Sequence, residues 1–375
     1  MSIVQETSAA RRVERALRRH VEVSVVIPCL NEAGSIEACV RDAWKALADG
    51  GYAGEVIVVD NDSDDASAEL AEAAGAHVVH EYRRGYDVVH TASFPYFSLL
   101  AAAAARPLGR YRLLVDWHEL WTLDYWREYL GRAGGRAGWL VQRLCVAMPQ
   151  EAFCFARLSE RRLREEGFRG EITVLEGEYA GPLEPAEPQP AEPVVVFAGR
   201  HIPEKRVPAL VSALAEVRRR LPDLRGEIYG DGPDRPEVLR RIAADGLDGD
   251  VEAPGFVDAG VVDAALERAL CMVLPSRREG YGLVVVEASA RGTPSIVVRD
   301  PDNAATELVE EGENGTVAAS ASAEDLAAAI ERVHAAGSEL RARTAAWFAR
   351  NARRLSLESS LETVLARYGR SSDSR

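Results

Sequence analysis

Two glutamates, Glu279 and Glu287, stand eight residues apart at the ends of the stretch EGYGLVVVE. Gly280 and Gly282 between them allow a turn free of Cβ clashes. The apolar run that follows reads as a helix rather than a strand, because Gly292 and Pro294 form a stop signal before the next apolar run, SIVV. Glu279 then precedes the helix and Glu287 falls in its second turn, with the amides of Gly282, Leu283 and Val284 between them. Helix N-termini present free amides and partial positive charge. An anion held there has a carboxylate on each side, reaching different parts of a molecule longer than a phosphate. A nucleotide sugar, with base and ribose, diphosphate and sugar, has that shape. Taken singly, Glu279 reads equally as a dipole partner worth about 0.3–1 kcal/mol and Glu287 as an ordinary acid on a helix surface.

Other candidates follow strands. In parallel α/β sheets, ligands bind outside the carboxyl ends of the strands. After VVVFAG come Arg200 and Lys205 in GRHIPEKR, two cations suited to a diphosphate. After EIYG comes DGPD, where Gly232 lets backbone approach a ligand. After VEAPGF, the backbone of Phe256 and Val257 offers an edge to a flat base. Each alone reads as well as a solvated loop or an ordinary turn.

The elements that must carry these residues form two α/β series. VSVVIPCL (Val23–Leu30), EVIVVD (Glu55–Asp60) and HVVH are strands separated by helices, apolar on both faces as in parallel sheets. The alternation continues through DVVHTAS, YRLLVDWHE, EAFCFARLSERRLREEG and EITVLEG, for a sheet of about six strands. The proline-rich stretch Gly181–Pro193 reads as a stiff linker. Beyond it VVVFAGR, LRGEIYGDG, DVEAPGF, LCMVLPS and PSIVVRD are the strands of a second series, and the chain closes with helices and a frayed tail.

With 375 residues, 47% of them apolar, the composition is that of a globular protein of two ordinary domains. The apolar runs are shorter than the roughly 20 residues that cross a bilayer, and no secretory signal is evident. Five cysteines without a CxxC pair fit buried thiols in a reducing cytoplasm. A net charge of −14 argues against nucleic acid as a partner. The basic stretch Ala10–His20 reads as a solvated arm or as a short helix meeting anionic lipid.

Arg200, Lys205, the GDGP turn and PSRREGYGLVVVEASARGTP, in this order and each after a strand, resemble the donor-binding half of retaining family 4 glycosyltransferases of the GT-B fold. The resemblance covers roughly residues 86–368. It implies an α/β fold of two doubly wound Rossmann-like domains facing a cleft, the C-terminal helix packing back on the first. The expected boundaries are an arm at 1–21, an acceptor-side domain at 22–180, a linker at 181–193, a nucleotide-sugar domain at 194–345 and C-terminal helices and tail at 346–375. By the same resemblance Glu287 holds the ribose hydroxyls, Arg200 and Lys205 neutralise the diphosphate, and Glu279 contacts the donor sugar near the reacting face. No metal or other cofactor is then required, since cations and helix amides supply the stabilisation.

In LLVDWHELW, also similar to family 4, Asp116, His118 and Glu119 lie just past a strand. His118 is expected to face the cleft, and Asp116 and Glu119 to stand on the acceptor side. Trp117 and Trp121 read either as sugar platforms or as core. The opening, residues 22–85, instead resembles the start of an inverting family 2 GT-A glycosyltransferase, whose strand ends at Pro28–Glu32 and Asp60–Asp62 hold the nucleotide. Asn31 falls where family 4 carries a glycine-rich loop, and is a candidate for the acceptor side.

The expected activity is transfer, with retention, from a UDP-, GDP- or ADP-sugar to a sugar, lipid-linked or small-molecule acceptor. It is expected in the cytoplasm, with peripheral contact to the inner membrane face allowed. The alternatives are a metal-dependent inverting enzyme using Asp60 and Asp62, and a module that binds donor without turnover.

Overall fold

The computed structural model describes residues 23–80, 87–186 and 190–369. The basic arm, the segment 81–86, the centre of the linker and the last six residues lie outside the described residues, and with them the expectations of an arm helix and a frayed tail. The chain divides into two compact units, Met1–Tyr86 and Asp87–Arg375, and each is taken by itself.

In the first unit, β1 (Val23–Cys29), α1 (Ile36–Asp49), β2 (Gly54–Asp60), α2 (Ser67–Ala73) and β3 (His77–His80) build a parallel sheet of order β1-β2-β3. Its core gathers Cys29, Ile36, Val40, Leu47, Val56, Val58 and Ala71. The sequence suggests a β1 buried on both faces, yet its residues alternate and Val26 is 57% exposed. An apolar strand reports that it is a strand, not how many of its faces are covered.

The second unit opens with β4 (Val88–Ala92), α3 (Tyr96–Gly109), β5 (Arg112–Trp117), α4 (Leu123–Ala147), β6 (Glu151–Cys154), α5 (Arg157–Glu165) and β7 (Ile172–Val174). They form a four-stranded parallel sheet in sequence order. The single sheet of about six strands expected from the alternation is thus two sheets, of three and four strands.

Then come β8 (Val194–Ala198), a 3-10 turn (Pro203–Lys205), α6 (Val207–Arg218), β9 (Arg225–Tyr229), α7 (Arg235–Ala244), β10 (Val251–Gly255), α8 (Ala259–Arg268) and β11 (Cys271–Leu274). They are followed by β12 (Arg278–Glu279), α9 (Leu283–Ala290), β13 (Ser295–Val298), β14 (Asp302–Asn303) and β15 (Gly315–Ala318). The larger sheet is six-stranded, of order β10-β9-β8-β11-β13-β15. Its central strands β11 and β13 are buried throughout, as parallel strands covered by helices must be. The order reverses at β8, which places a switch-point crevice over the carboxyl ends of β8 and β11.

Helix α10 (Ala323–Leu355), broken at Gly337 (φ 54°, ψ −139°), leads to α11 (Leu357–Tyr368). The last helix does pack back on the four-stranded sheet. Val364 packs against Leu114, Phe153 and Leu175, and the Arg112 guanidinium donates to the Arg367 carbonyl at 2.8 Å. No described helix is long and apolar enough to cross a membrane.

Candidate functional site

The two loops at the switch point meet. The first leaves β8 and carries Arg200 and Lys205; the second leaves β11 and carries Glu279. The Lys205 ammonium donates to Glu279 Oε1 at 2.5 Å, and the two side chains are only 17% and 10% exposed. Two short strands, β12 and β14, clamp Glu279 in parallel register with Asn303. The Asn303 side-chain amide donates to the carbonyls of Ser276 and Val298, and its oxygen accepts the Ala305 amide. Arg200 is exposed, and its side chain has no hydrogen bond or ion pair among the described residues.

The helix after Glu279 forms as its stop signals imply. Gly282 caps it at φ 105° and ψ 47°, a left-handed conformation, with its Cα so placed that a Cβ would come 2.6 Å from the Ala305 Cβ. Leu283 and Val284 open the first turn, so their amides have no intrahelical acceptor. Glu287 sits half-buried in the second turn, without a hydrogen bond to its carboxylate among the described residues. Burial raises its pKa, the nearby Arg291 only partly opposing.

The glycine turn after β9 braces the basic loop. Gly230 and Gly232 press on the carbonyls of Gly199 and His201, leaving no room for a Cβ, and the Asp234 amide donates to the His201 carbonyl at 2.9 Å. After β10, Val257 turns inward against the core while Phe256 is 83% exposed, so the aromatic face is the part open to a ligand.

From the four-stranded sheet, the loop after β5 reaches the same place. A Cβ on Gly280 would stand 3.1 Å from the His118 carbonyl and 3.0 Å from Glu119 Cγ. The His118 ring lies flat on Phe155, with centroids 4.1 Å apart, and its rim is open. This cover lowers its pKa, Asp116 and Glu119 pulling upward without prevailing. A neutral imidazole fits a hydrogen-bonding role better than a fixed charge.

Asp116 is held elsewhere, by His90 at 2.8 Å, and His90 in turn contacts the Tyr368 hydroxyl at 2.6 Å. Trp117 is core, fully buried and donating to Gln150, while Trp121 is half-exposed and donates to Glu119 at 3.0 Å.

Asn31, in the other unit, belongs to its own loop, accepting the Asp64 amide at 2.8 Å. In that loop burial works to raise the Asp60 pKa, but hydrogen bonds from Ser63 and His80 outweigh it and the net shift is downward. Asp60 is thus committed to protein partners.

Arg278 was not anticipated, although it immediately precedes Glu279. It is buried, stacks 3.8 Å from the Tyr125 ring centre, and pairs with Glu119 at 3.2 Å and Asp302 at 3.6 Å. Tyr125 donates to Glu204 at 2.7 Å, and Glu307 accepts the Arg157 and Leu158 amides, both at 2.8 Å, at the start of α5. Apart from Arg278 and Asp302, these partners lie 79 to 159 residues apart, a separation that no local pattern spans.

Residues 184–353 match the family described as glycosyl transferases group 1, and residues 24–91 match glycosyl transferase family 2. The chain is 35% identical over 141 residues to an alpha-D-kanosaminyltransferase of Streptomyces kanamyceticus, covering 38% of this chain and 36% of the relative. It is 33% identical over 193 residues to a D-inositol 3-phosphate glycosyltransferase of a Nocardioides species, covering 47% and 41%. The chain thus spans less than half the length of these curated relatives.

Anabaena Alr3699/HepE, solved in complex with UDP, superposes with a TM-score of 0.63 at 19% identity, over 92% of this chain and 98% of that one. Sucrose-phosphate synthase from Thermosynechococcus elongatus gives 0.64 at 18% identity, over the same shares. The fold is that of the GT-B glycosyltransferases.

Proposed function

We propose that the chain is a glycosyltransferase that moves a sugar from a nucleoside diphosphate sugar to an acceptor, with retention of configuration and without a metal. The observation that carries the reading is the meeting of three strand-end loops, with Lys205 on Glu279 and the Gly280 backbone against His118 and Glu119. In this reading Glu287 holds the ribose, Phe256 and Val257 the base, and Arg200 with the α9 amides the diphosphate. Lys205, now paired with Glu279, is shared with the phosphate when donor binds. The leaving phosphate oxygen, stabilised by these cations, accepts the acceptor proton on the face where the new bond forms. Glu279 supports the positive charge developing on the donor sugar, and His118 orients the sugar or the acceptor.

Solved complexes of Alr3699/HepE contain UDP or UDP-glucose, whereas a Mycolicibacterium smegmatis relative is a GDP-mannose-dependent mannosyltransferase of a phosphatidylinositol monomannoside, so both bases have support. That relative also supports a lipid-linked acceptor. The GT-B fold favours this mechanism over the metal-dependent inverting one.

The test is nucleotide release from a panel of UDP-, GDP- and ADP-sugars with and without EDTA, compared with Glu279→Gln and Arg200→Ala. Release that persists in EDTA and collapses in both variants is expected. Release that needs metal and ignores both substitutions would sink the reading, and binding without release would point to a donor-binding module instead.

A further inference from the structure

The outer face of α4 carries chemistry that sugar transfer does not use. The helix is broken at Gly131 (φ 73°, ψ 178°). From Tyr129 to Gln150 the chain has Arg132, Arg136 and Arg143 and no Asp or Glu, although acids outnumber bases 59 to 45 overall. At ~100° per residue, Ala133, Ala137, Leu140, Val141 and Leu144 fall within an arc of ~100°, and all three arginines fall along one edge of it.

That arc faces out. Leu140, Val141 and Leu144 are 60%, 37% and 55% exposed, while Gln142, Cys145 and Val146 of the same helix are buried. Helices at a water interface order themselves the other way, polar side out. Arg143 pairs with Glu166 at 3.8 Å, but Arg132 and Arg136 have no partner among the described residues. The apolar ledge extends toward the candidate site. Tyr129, 63% exposed, meets Trp121 at 5.2 Å, and Phe94, 62% exposed, lies 6.1 Å from Trp121, which hydrogen-bonds Glu119.

We propose that this face of α4 rests on an anionic lipid bilayer, with Leu140, Val141 and Leu144 entering the acyl boundary and Arg132 and Arg136 on headgroup phosphates. The charge pattern selects that occupant. A two-fold pairing with a second copy along antiparallel α4 helices would bring the two arginine edges to the same side. A chain of net charge −14 is repelled by an anionic membrane over most of its surface, so an apolar face whose own residues include no acid also fixes the orientation in which it binds. The inference goes beyond the transfer reaction and holds whether or not that reaction does.

The test is flotation of the full chain, without donor, on phosphatidylcholine vesicles with and without phosphatidylglycerol. The variants are Leu140→Glu/Leu144→Glu and Arg132→Glu/Arg136→Glu, all at exposed positions, with circular dichroism melting as the folding control. The chain should float only with anionic vesicles. Each arginine reversal removes a positive charge and adds a negative one, so it should weaken partition by about thirtyfold, and the leucine variant should abolish it. Absence of flotation by the parent chain, or flotation unchanged in both variants, would overturn the proposal. So would lipid-free self-association that the leucine variant removes, because a second copy would then cover the face.

Discussion

Replacing Lys205 by methionine keeps most of the apolar stem and leaves the Glu279 carboxylate, 10% exposed, without its ammonium at 2.5 Å. The pair lies between two regimes. Exposed pairs contribute about 0–1 kcal/mol, and breaking a buried pair costs about 3–5 kcal/mol because the survivor is stranded. With side-chain exposures of 17% and 10%, a loss of about 2 kcal/mol is expected for Lys205→Met. The double variant Lys205→Met/Glu279→Gln strands no charge, so it should recover part of that loss, with a coupling of about 1–2 kcal/mol. Urea denaturation of the four proteins at neutral pH measures this, and moderate salt should change it little because the pair is covered. Single losses that add within about 0.5 kcal/mol would refute the coupling. The same two single variants should each lower donor turnover by about a hundredfold or more if they act on developing charge.

Glu178, in the segment following β7, is held by burial at a pKa of about 7 instead of 4.5. A folded pKa raised above the unfolded one gives stability that is complete below about pH 4.5 and lost as pH rises through about 7. Glu178→Gln should therefore gain on the parent between pH 5 and 8, by at most about 3 kcal/mol; parallel pH–stability curves would contradict this. Gly282→Ala meets both the left-handed backbone and the Ala305 Cβ at 2.6 Å, so it should cost about 1–3 kcal/mol in denaturation. An unchanged midpoint would mean that the α9 turn is not fixed as described.

Much of the candidate site's local geometry was legible because its signals are local. Gly292 and Pro294 stop α9, which put Glu279 before a helix and Glu287 within it. Apolar runs marked β8 and β11, so the loops carrying Arg200 and Lys205 and then Glu279 were identifiable as strand ends. Strand pairing was less accessible. Nothing in HVVH, with a histidine at each end, says that β3 closes a sheet of three rather than continuing into a larger one. The strand GTVA, β15, escaped notice because four residues beginning with glycine carry little pattern; its membership depends on Gly315 lying against the Ser295 carbonyl. Arg278 looks like any arginine in a basic loop until Tyr125, Glu119 and Asp302 surround it. Asp116 stood beside His118 in sequence, but its partner His90 lies on a neighbouring strand.

The measurement that bears most directly on the proposed donor site is calorimetric binding of UDP, GDP and the corresponding nucleosides to the parent chain, Arg200→Ala and Glu287→Gln. If Arg200 serves the diphosphate and Glu287 the ribose, Arg200→Ala loses affinity for the diphosphates and keeps it for the nucleosides, while Glu287→Gln loses both. Binding of either diphosphate at full strength in both variants would contradict the account.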